Sequence, residues 1–398
     1  MKTRFRGFLL GVVVGFIGIS VAGTLITKNL ALDSSYTYIR LFNEVLQLVR
    51  NSYVDETQPE SLMKGAYEGL VGELDPFSEY LTPQEYADQV HWNEGGATEG
   101  GRADVGLRLA KKEGIVVVIS VKPGSDSAEK GITPGDQIRR IGDRSVREMT
   151  LRQVEALLSG PPGTKVAVSV ARREEPHKLD TDLVCRTAPA GEIALQIADA
   201  DRGIAVLTLP QLLPGATEKI ASALERAQKN KVKRLLIDLR GNAWGTIDEA
   251  VKAAGLFVGP TVVAGLKSRQ GTPAEIKSEA TRAAYDGDVA VLLNGATAEA
   301  AELLAAALHD GRAAKVLGET SFGVGAQQEM IPLKNGAYLK LSVRKYQSPS
   351  GTAWHGVGLK PDIPVTAMGH DLTPAQRLAE QLKLAIEQVR GLPEHGRA

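Results

Sequence analysis

Six histidines and one cysteine are the residues that could bind a transition metal or supply a thiol nucleophile. No histidine belongs to an HExxH motif, which places two zinc ligands on one helix face, so the histidines are expected at the surface or in the core. Cys185 stands alone, so it forms no internal disulfide and is expected in the core. No P-loop or dinucleotide-binding motif follows a predicted strand. We therefore predict no metal site and no cofactor, which leaves hydroxyl, amine and carboxylate groups for any chemistry.

Strands that alternate with helices in the second half of the chain would position such groups. Apolar runs at 204–209, 234–239 and 289–293 predict strands, and the segments at 217–229 and 297–309 predict helices. This alternation is typical of an α/β core. An amphipathic helix is predicted at 374–389.

The first half of the chain is organised differently. Apolar residues at three- and four-residue spacing predict mostly helix over 36–89, with a second helix at 59–72. A glycine-rich linker is predicted at 94–102, and a compact run of short strands and turns follows over 104–186.

The amino terminus predicts a membrane segment. Basic residues stand at positions 2, 4 and 6, and residues 7–27 carry no charge. About 20 apolar residues span a bilayer as a helix, and basic residues favour the cytoplasmic side. The segment is either a retained signal anchor or a signal peptide cleaved near residues 20–22. Either interpretation places the rest of the chain outside the cytoplasm. The retained anchor, which the length and the Gly/Val/Ile-rich character favour, predicts an inner (cytoplasmic) membrane location, with a single pass and the bulk of the chain extracytoplasmic or periplasmic.

The net charge argues against a nucleic-acid partner. Lysine plus arginine and aspartate plus glutamate each total 47 residues, so the formal net charge is zero. Broad electrostatic binding of nucleic acid needs a basic surface.

Several short motifs follow one another in a recognisable order. They are LDPFSEYL (74–81), GITPGD (131–136), LIDLRGN (236–242), GETSFG (318–323), SPSG (348–351) and GLKPD (358–362). Together they resemble the carboxyl-terminal processing peptidases (tail-specific proteases), a family of serine–lysine endopeptidases.

The resemblance implies an α/β peptidase core with an inserted PDZ-like domain and an amino-terminal helical segment, and the apolar amino terminus adds one transmembrane helix to the predicted fold. The predicted domains are a signal anchor or signal peptide (1–28), the amino-terminal helical segment (29–98), the PDZ-like domain (99–188), the peptidase-like core (189–368) and a carboxyl-terminal helix (369–398).

The catalytic positions depart from the family pattern. In the family, a serine that opens a helix attacks the peptide carbonyl, and a lysine in a later FGKG stretch is the base. Alignment on Glu302 places Glu299 at the nucleophile position, Val324 at the base position and Gln328 at the supporting glutamine. Valine cannot accept a proton, and a carboxylate opposes the oxyanion that forms during acyl transfer. We therefore predict that no catalytic pair is intact.

The oxyanion region is also altered. It maps by resemblance to Gly241, Trp244, Gly245 and Ala300, and the family's Gly-Gly pair is replaced by Trp244-Gly245. Trp244 either fills the substrate cleft or lies on the surface.

The PDZ-like domain predicts a peptide-binding strand. Such domains pair an extended peptide with a strand and hold its terminal carboxylate on backbone N–H groups. The corresponding residues are Val105, Gly106, Leu107 and Arg108, and Asp104 before them would repel a carboxylate if it pointed inward.

The leading hypothesis is a membrane-anchored extracytoplasmic pseudopeptidase of this family, anchored through residues 7–27, that binds protein or peptide carboxyl-terminal tails or partner subunits. The alternative is an active serine endopeptidase with a displaced dyad. Its candidate nucleophiles are Thr297, Ser321, Ser348 and Ser350, and its candidate bases are Lys315, Lys340 and Lys345. A third hypothesis is an assembly subunit, which forms a homo-oligomer or pairs with an active relative through the amino-terminal helices.

Overall fold

The structure is a computed structural model that describes residues 36–87, 90, 103–147, 149–172, 178–189, 191–368 and 372–393. The predicted membrane segment (7–27) and the glycine-rich linker (94–102) lie outside these residues. Within the described ranges, no helix is both long and apolar enough to cross a bilayer.

The chain divides into two units, residues 1–69 and 70–398. Helix α1 (residues 36–52) belongs to the first unit, and α2 (Pro59–Gly72) crosses the boundary between the units. The bounds of α2 confirm the predicted helix at 59–72. In the second unit, β1 (Glu79–Leu81) precedes α3 (residues 83–87). The described residues of 36–89, within the predicted amino-terminal helical segment (29–98), are therefore mostly helical as predicted, and the short strand β1 is the exception.

A small domain of short strands follows. Its elements are β2 (Ala103–Asp104), β3 (Leu107–Lys112), β4 (Ile115–Val121), α4 (Asp126–Glu129), β5 (Gln137–Ile141), β6 (Arg144–Ser145), α5 (Leu151–Leu157), β7 (Ser159–Gly160), β8 (Lys165–Ala171) and β9 (Lys178–Val184). One sheet has the order β3-β4-β5-β8-β9 with β6 beside β5, and β2 pairs with β7. Every second residue of β8 is buried, because alternate side chains of a strand point to opposite faces. Cys185 is buried in this core, as predicted.

The larger α/β core carries a six-stranded sheet in the order β10-β11-β12-β15-β16-β19. Its strands are β10 (Ala194–Asp199), β11 (Ile204–Thr208), β12 (Arg234–Asp238), β15 (Asp288–Leu293), β16 (Lys315–Gly318) and β19 (Ile363–Pro364). Only β10 runs antiparallel to its neighbour in this sheet.

Helices cover both faces of the core sheet, which explains why its central strands are apolar throughout. They are α6 (Ala216–Lys229), α7 (Ile247–Val258), α8 (Ala300–Arg312) and α9 (Pro374–Gly391). Residues Leu235 and Ile237 of β12 pack on the side of α6, α7 and α8, whereas Leu236 packs on the side of α9.

A second, antiparallel sheet completes the core. It contains β13 (Val262–Ser268), β14 (Ala274–Lys277), β17 (Ala326–Pro332), β18 (Tyr338–Gln347) and β1. The long strand β18 pairs with β1, β13 and β17. The segment before the PDZ-like domain therefore contributes a strand to the core.

Candidate active site

The candidate site lies at the carboxyl edge of the parallel strands, where α/β folds commonly place ligands. After β12, Asn242 is fully buried and donates from Nδ2 to the Leu209 carbonyl at 2.8 Å. The Asn242 carbonyl accepts a bond from the Ala298 N–H at 2.9 Å. The turn after β12 is thus fixed directly beside the start of α8.

Glu299 occupies a strained turn between β15 and α8. Its backbone has φ +55° and ψ −116°, a region that residues with a side chain rarely adopt. Thr297 supports the turn by donating its hydroxyl to the Leu239 carbonyl at 2.9 Å. A strained strand-to-helix turn is the arrangement that exposes the nucleophile in other serine hydrolases. The predicted nucleophile position therefore has a suitable backbone but no hydroxyl.

The Glu299 carboxylate pairs with Arg108 of β3, in the PDZ-like domain. The two side chains are 27% and 37% exposed, so water only partly screens the pair. Burial opposes the charged form of Arg108, but the charge and hydrogen bond of Glu299 raise the pKa of the guanidinium overall. Burial and the Glu299 charge also raise the pKa of Tyr346.

Val324, at the predicted base position, packs in an apolar cluster. The buried members are Phe77, Ala110, Ile119, Ala243 and Ala298, with Trp244, Phe322 and Val324 partly buried against them. Ala110 and Ile119 belong to the PDZ-like domain, Phe77 lies just before β1, and the other members belong to the core. Trp244 is therefore partly buried against this cluster rather than fully exposed.

Glu302 organises the loop that carries Val324. Its fully buried carboxylate accepts hydrogen bonds from the Ser321 hydroxyl, the Gly323 N–H (2.6 Å), the Val324 N–H (2.8 Å) and the Glu299 N–H (3.0 Å). Burial raises its pKa to about 7, although these hydrogen bonds lower it. This single carboxylate holds both the nucleophile position and the base position.

The remaining predicted site residues have structural partners. Gln328 donates to the Phe77 carbonyl at 3.1 Å. In the predicted oxyanion region, the Gly241 N–H donates to Asn294 Oδ1 at 3.0 Å, and Gly245 pairs with Leu212. Ala300 is the buried first residue of α8.

The side chain of Asp104 partly fills the predicted peptide-binding loop. Asp104 Oδ1 accepts the Gly106 N–H at 2.7 Å, so this donor is occupied. Val105 is buried, and its N–H donates to the Leu158 carbonyl. Leu107 pairs with Val121 of β4. Asp104 thus occupies a backbone N–H group of the predicted peptide-binding residues.

Asp75 and His355 form a buried pair that the sequence analysis missed. The His355 side chain is only 6% exposed, and its Nε2 lies 3.7 Å from Asp75 Oδ2. Burial would raise the pKa of Asp75, but the nearby His355 ring and the hydrogen bonds from Phe77 and Ser78 hold it well below its usual range. The contact joins residues far apart in sequence, so residue spacing gave no signal for it.

The residues of the displaced dyad do not come together. The Ser321 hydroxyl donates to Glu302, and the Ser348 and Ser350 hydroxyls contact each other at 3.0 Å. Lys340 Nζ lies 3.7 Å from Glu79 Oε2. Lys315 begins β16 and therefore lies at the amino ends of the parallel strands, opposite the carboxyl ends where the candidate site lies. Across the described ranges, no hydrogen bond joins a candidate hydroxyl to Lys315, Lys340 or Lys345.

Comparisons with known proteins agree with this domain arrangement. A model described as peptidase family S41 matches residues 203–365, and a PDZ domain model matches residues 103–183. A probable CtpA-like serine protease of Staphylococcus aureus (strain bovine RF122 / ET3-1) is 30% identical over 324 residues, which cover 81% of this chain and 63% of that protein. One from Staphylococcus haemolyticus (strain JCSC1435) is 29% identical over 372 residues, which cover 92% of this chain and 73% of that protein.

A solved structure of a photosystem II D1 C-terminal processing protease has the same fold. It aligns with a TM-score of 0.66 at 24% identity and covers 86% of this chain and 96% of that chain.

Proposed function

This chain belongs to peptidase family S41, and from that premise we propose that it is a pseudopeptidase. It binds protein or peptide tails, or partner subunits, without cleaving them. One observation carries the proposal: the strained turn that would present a nucleophile holds Glu299, whose carboxylate is paired with Arg108. A carboxylate at this position supplies no hydroxyl and opposes the charge of a developing oxyanion.

The base position supports the same conclusion. Val324 has no titratable group, and it packs against apolar side chains rather than a proton acceptor. Loss of a nucleophile or a base costs on the order of 10⁶ in rate in a well-studied serine protease.

A labelling and cleavage assay tests the proposal. The full-length chain is incubated with a fluorophosphonate probe and, separately, with an unstructured protein. The matched comparison is Glu299→Ser/Val324→Lys, in which the probe is expected to label residue 299. We expect neither labelling nor cleavage by the wild type. A labelled wild-type serine, located by mass spectrometry, would instead establish an active peptidase with a displaced dyad.

The partner that we propose is an extended protein segment, because PDZ domains bind such segments beside an exposed strand. Because Asp104 occupies the Gly106 N–H, Asp104→Gly should strengthen binding of a peptide with a free carboxyl terminus. The same peptide with an amidated terminus should show no such gain in isothermal titration. An equal increase in affinity for both peptides would mean that the loop does not recognise the terminal carboxylate.

We also propose a membrane-anchored, extracytoplasmic location, which rests on residues 7–27 of the sequence. Cell fractionation with protease accessibility tests it. Full-length protein in the membrane fraction, digested only from the outer side, is the expected result, and full-length protein in the cytosol would contradict it.

A further inference from the structure

Four arginines lie close together on the hairpin of β5 and β6 and on the loop that follows it. Residues 139–148 contain these four arginines and two acids, whereas the whole chain has no net charge. The members of this arginine patch, all of them exposed, are Arg139, Arg140, Arg144 and Arg147. Backbone pairing brings them together, because the Val146 N–H donates to the Arg139 carbonyl at 3.1 Å and Arg140 lies opposite Ser145.

A β-bulge turns two consecutive arginines of β5 towards solvent. In a regular strand alternate side chains point to opposite faces, so Arg140 would lie on the same face as the buried Ile138. The pairing of β5 with β8 shifts register between Ile138 and Arg140, which makes Arg139 an extra residue. Ile138 and Ile141 are therefore both buried, and both arginines between them are exposed. Bulges commonly redirect side chains, and this one increases the positive charge at the surface.

Within the part of the chain that the structure describes, no member of the arginine patch pairs with a carboxylate. Arg172 of the same domain, by contrast, lies 2.8 Å from Asp136. The hydrogen bond of Arg140 goes to a backbone carbonyl, that of Asp143, at 3.0 Å. A planar guanidinium matches the geometry of phosphate oxygens, so the arginine patch is suited to an external phosphate.

An exposed apolar side chain lies beside the arginine patch. Ile115 is 37% exposed and comes one residue before Val116, which pairs with Ile138 of β5. The Arg147 side chain crosses the preceding turn, because its Cγ lies 3.1 Å from the position that a Cβ of Gly114 would take. Cations around an exposed apolar side chain also characterise the interfacial helices that bind anionic bilayers.

We propose that the arginine patch binds the phosphate groups of anionic phospholipids and thereby holds the PDZ-like domain against the membrane surface. Charge alone would also attract an acidic protein segment, and the exposed Ile115 favours a bilayer because an apolar side chain can enter the headgroup region. The inference goes beyond the proposed function. It uses the proposed membrane location and does not depend on whether the chain cleaves peptides.

Quenching of a fluorescent label measures this contact. The full-length chain with Ser145→Cys is labelled with bimane and reconstituted in phosphatidylcholine nanodiscs, with or without phosphatidylglycerol. A fraction of the phosphatidylcholine headgroups carries a nitroxide quencher in both kinds of nanodisc. The native Cys185 is buried, and the unmodified chain measures its background labelling. Ser222→Cys, at an exposed position of α6, is the matched control.

Phosphatidylglycerol should increase the quenching at residue 145 and leave the quenching at residue 222 unchanged. Each basic residue near an anionic surface shifts such an equilibrium about fivefold, so Arg140→Gln/Arg144→Gln should weaken the contact about 25-fold. Quenching of the double variant should then fall to the level seen in phosphatidylcholine alone. Arg226→Gln/Lys229→Gln removes the same charge from exposed positions of α6 and should have no effect at residue 145.

Equal quenching in the two kinds of nanodisc would overturn the proposal, as would undiminished quenching in the double variant or an equal increase at residue 222. If polyglutamate changed the emission of the label and phosphatidylglycerol did not, the arginine patch would bind acidic protein instead. If the double variant fails to fold, about 1 M NaCl provides a second measurement on the parent. Salt should abolish the quenching that depends on phosphatidylglycerol, and persistent quenching would contradict the proposal.

Failure of the membrane location would be seen separately. A chain that does not insert into nanodiscs would contradict that location, and the same quenching comparison with preformed vesicles would then test the arginine patch by itself.

Discussion

The Glu302 carboxylate accepts a 2.8 Å hydrogen bond from the backbone N–H of Val324, so an acid of α8 holds the loop where the family places its base. The other bonds of the same carboxylate reach Ser321, Gly323 and Glu299. The supporting framework of the site is therefore present around Glu299 and Val324, which supply neither a hydroxyl nor an amine.

Glu302→Ala should destabilise the fold strongly. The substitution removes the acceptor of three N–H groups, one buried and two partly buried, and of the buried Ser321 hydroxyl, and a buried group left without a partner costs about 1–3 kcal/mol. We expect the free energy of unfolding to fall by roughly 3 kcal/mol or more in urea titration. Glu225→Ala, at an exposed position of α6, is the control and should change it by less than about 0.5 kcal/mol.

The stability contributed by Glu302 should depend on pH. Burial raises its pKa to about 7, above the value of 4.5 for an unperturbed glutamate. Because the folded pKa is the higher one, this contribution is fully present below pH 4.5 and is lost as pH rises to about 7. The measurement is the difference in unfolding free energy between wild type and Glu302→Gln at pH 5 and pH 8. The advantage of the wild type should be smaller at pH 8, and a difference that does not change would contradict the raised pKa.

The main elements of the core could be predicted from periodicity alone, but their contacts could not. The strand predicted at 234–239 is β12, Arg234–Asp238, because an apolar run between turn residues is a local signal. The helix predicted at 297–309 begins later, at Ala300, because Thr297 and Glu299 form the strained turn. No local pattern indicates such a backbone.

The substitutions at the site were visible in the sequence, whereas the partner of Glu299 was not. Glu299 and Val324 could be assigned by alignment of short motifs. Arg108 was predicted only as a peptide-binding residue, and its pairing with Glu299 joins positions 191 residues apart. Contacts at that separation depend on how two domains pack, which the spacing of residues within one element does not encode.

Backbone strain at Glu299 predicts an unusual order of stabilities. At φ +55° and ψ −116°, glycine avoids the steric penalty that any side chain pays. Glu299→Gly should therefore be more stable than Glu299→Ala by about 1 kcal/mol. Both variants lack the ion pair, so the difference reports the strain that glycine relieves, less the extra conformational entropy that glycine loses on folding. The control, Ala306→Gly inside α8, should lose about 1 kcal/mol in thermal or urea unfolding. Equal stability of the two Glu299 variants would mean that the turn relaxes.

Val324→Lys alone tests whether this position still provides the apolar surroundings that a basic amine needs. Its neighbours include Phe77, Ala298 and Phe322, so burial should lower the pKa of the introduced lysine below its ordinary value of about 10.4. A lysine whose folded pKa is lowered destabilises the fold as pH falls through its unfolded pKa towards its folded one. Relative to wild type, the variant should therefore be closer in unfolding free energy at pH 10 than at pH 6. A deficit of the same size at both pH values would show that the amine reaches water instead, and that the site cannot hold a neutral lysine.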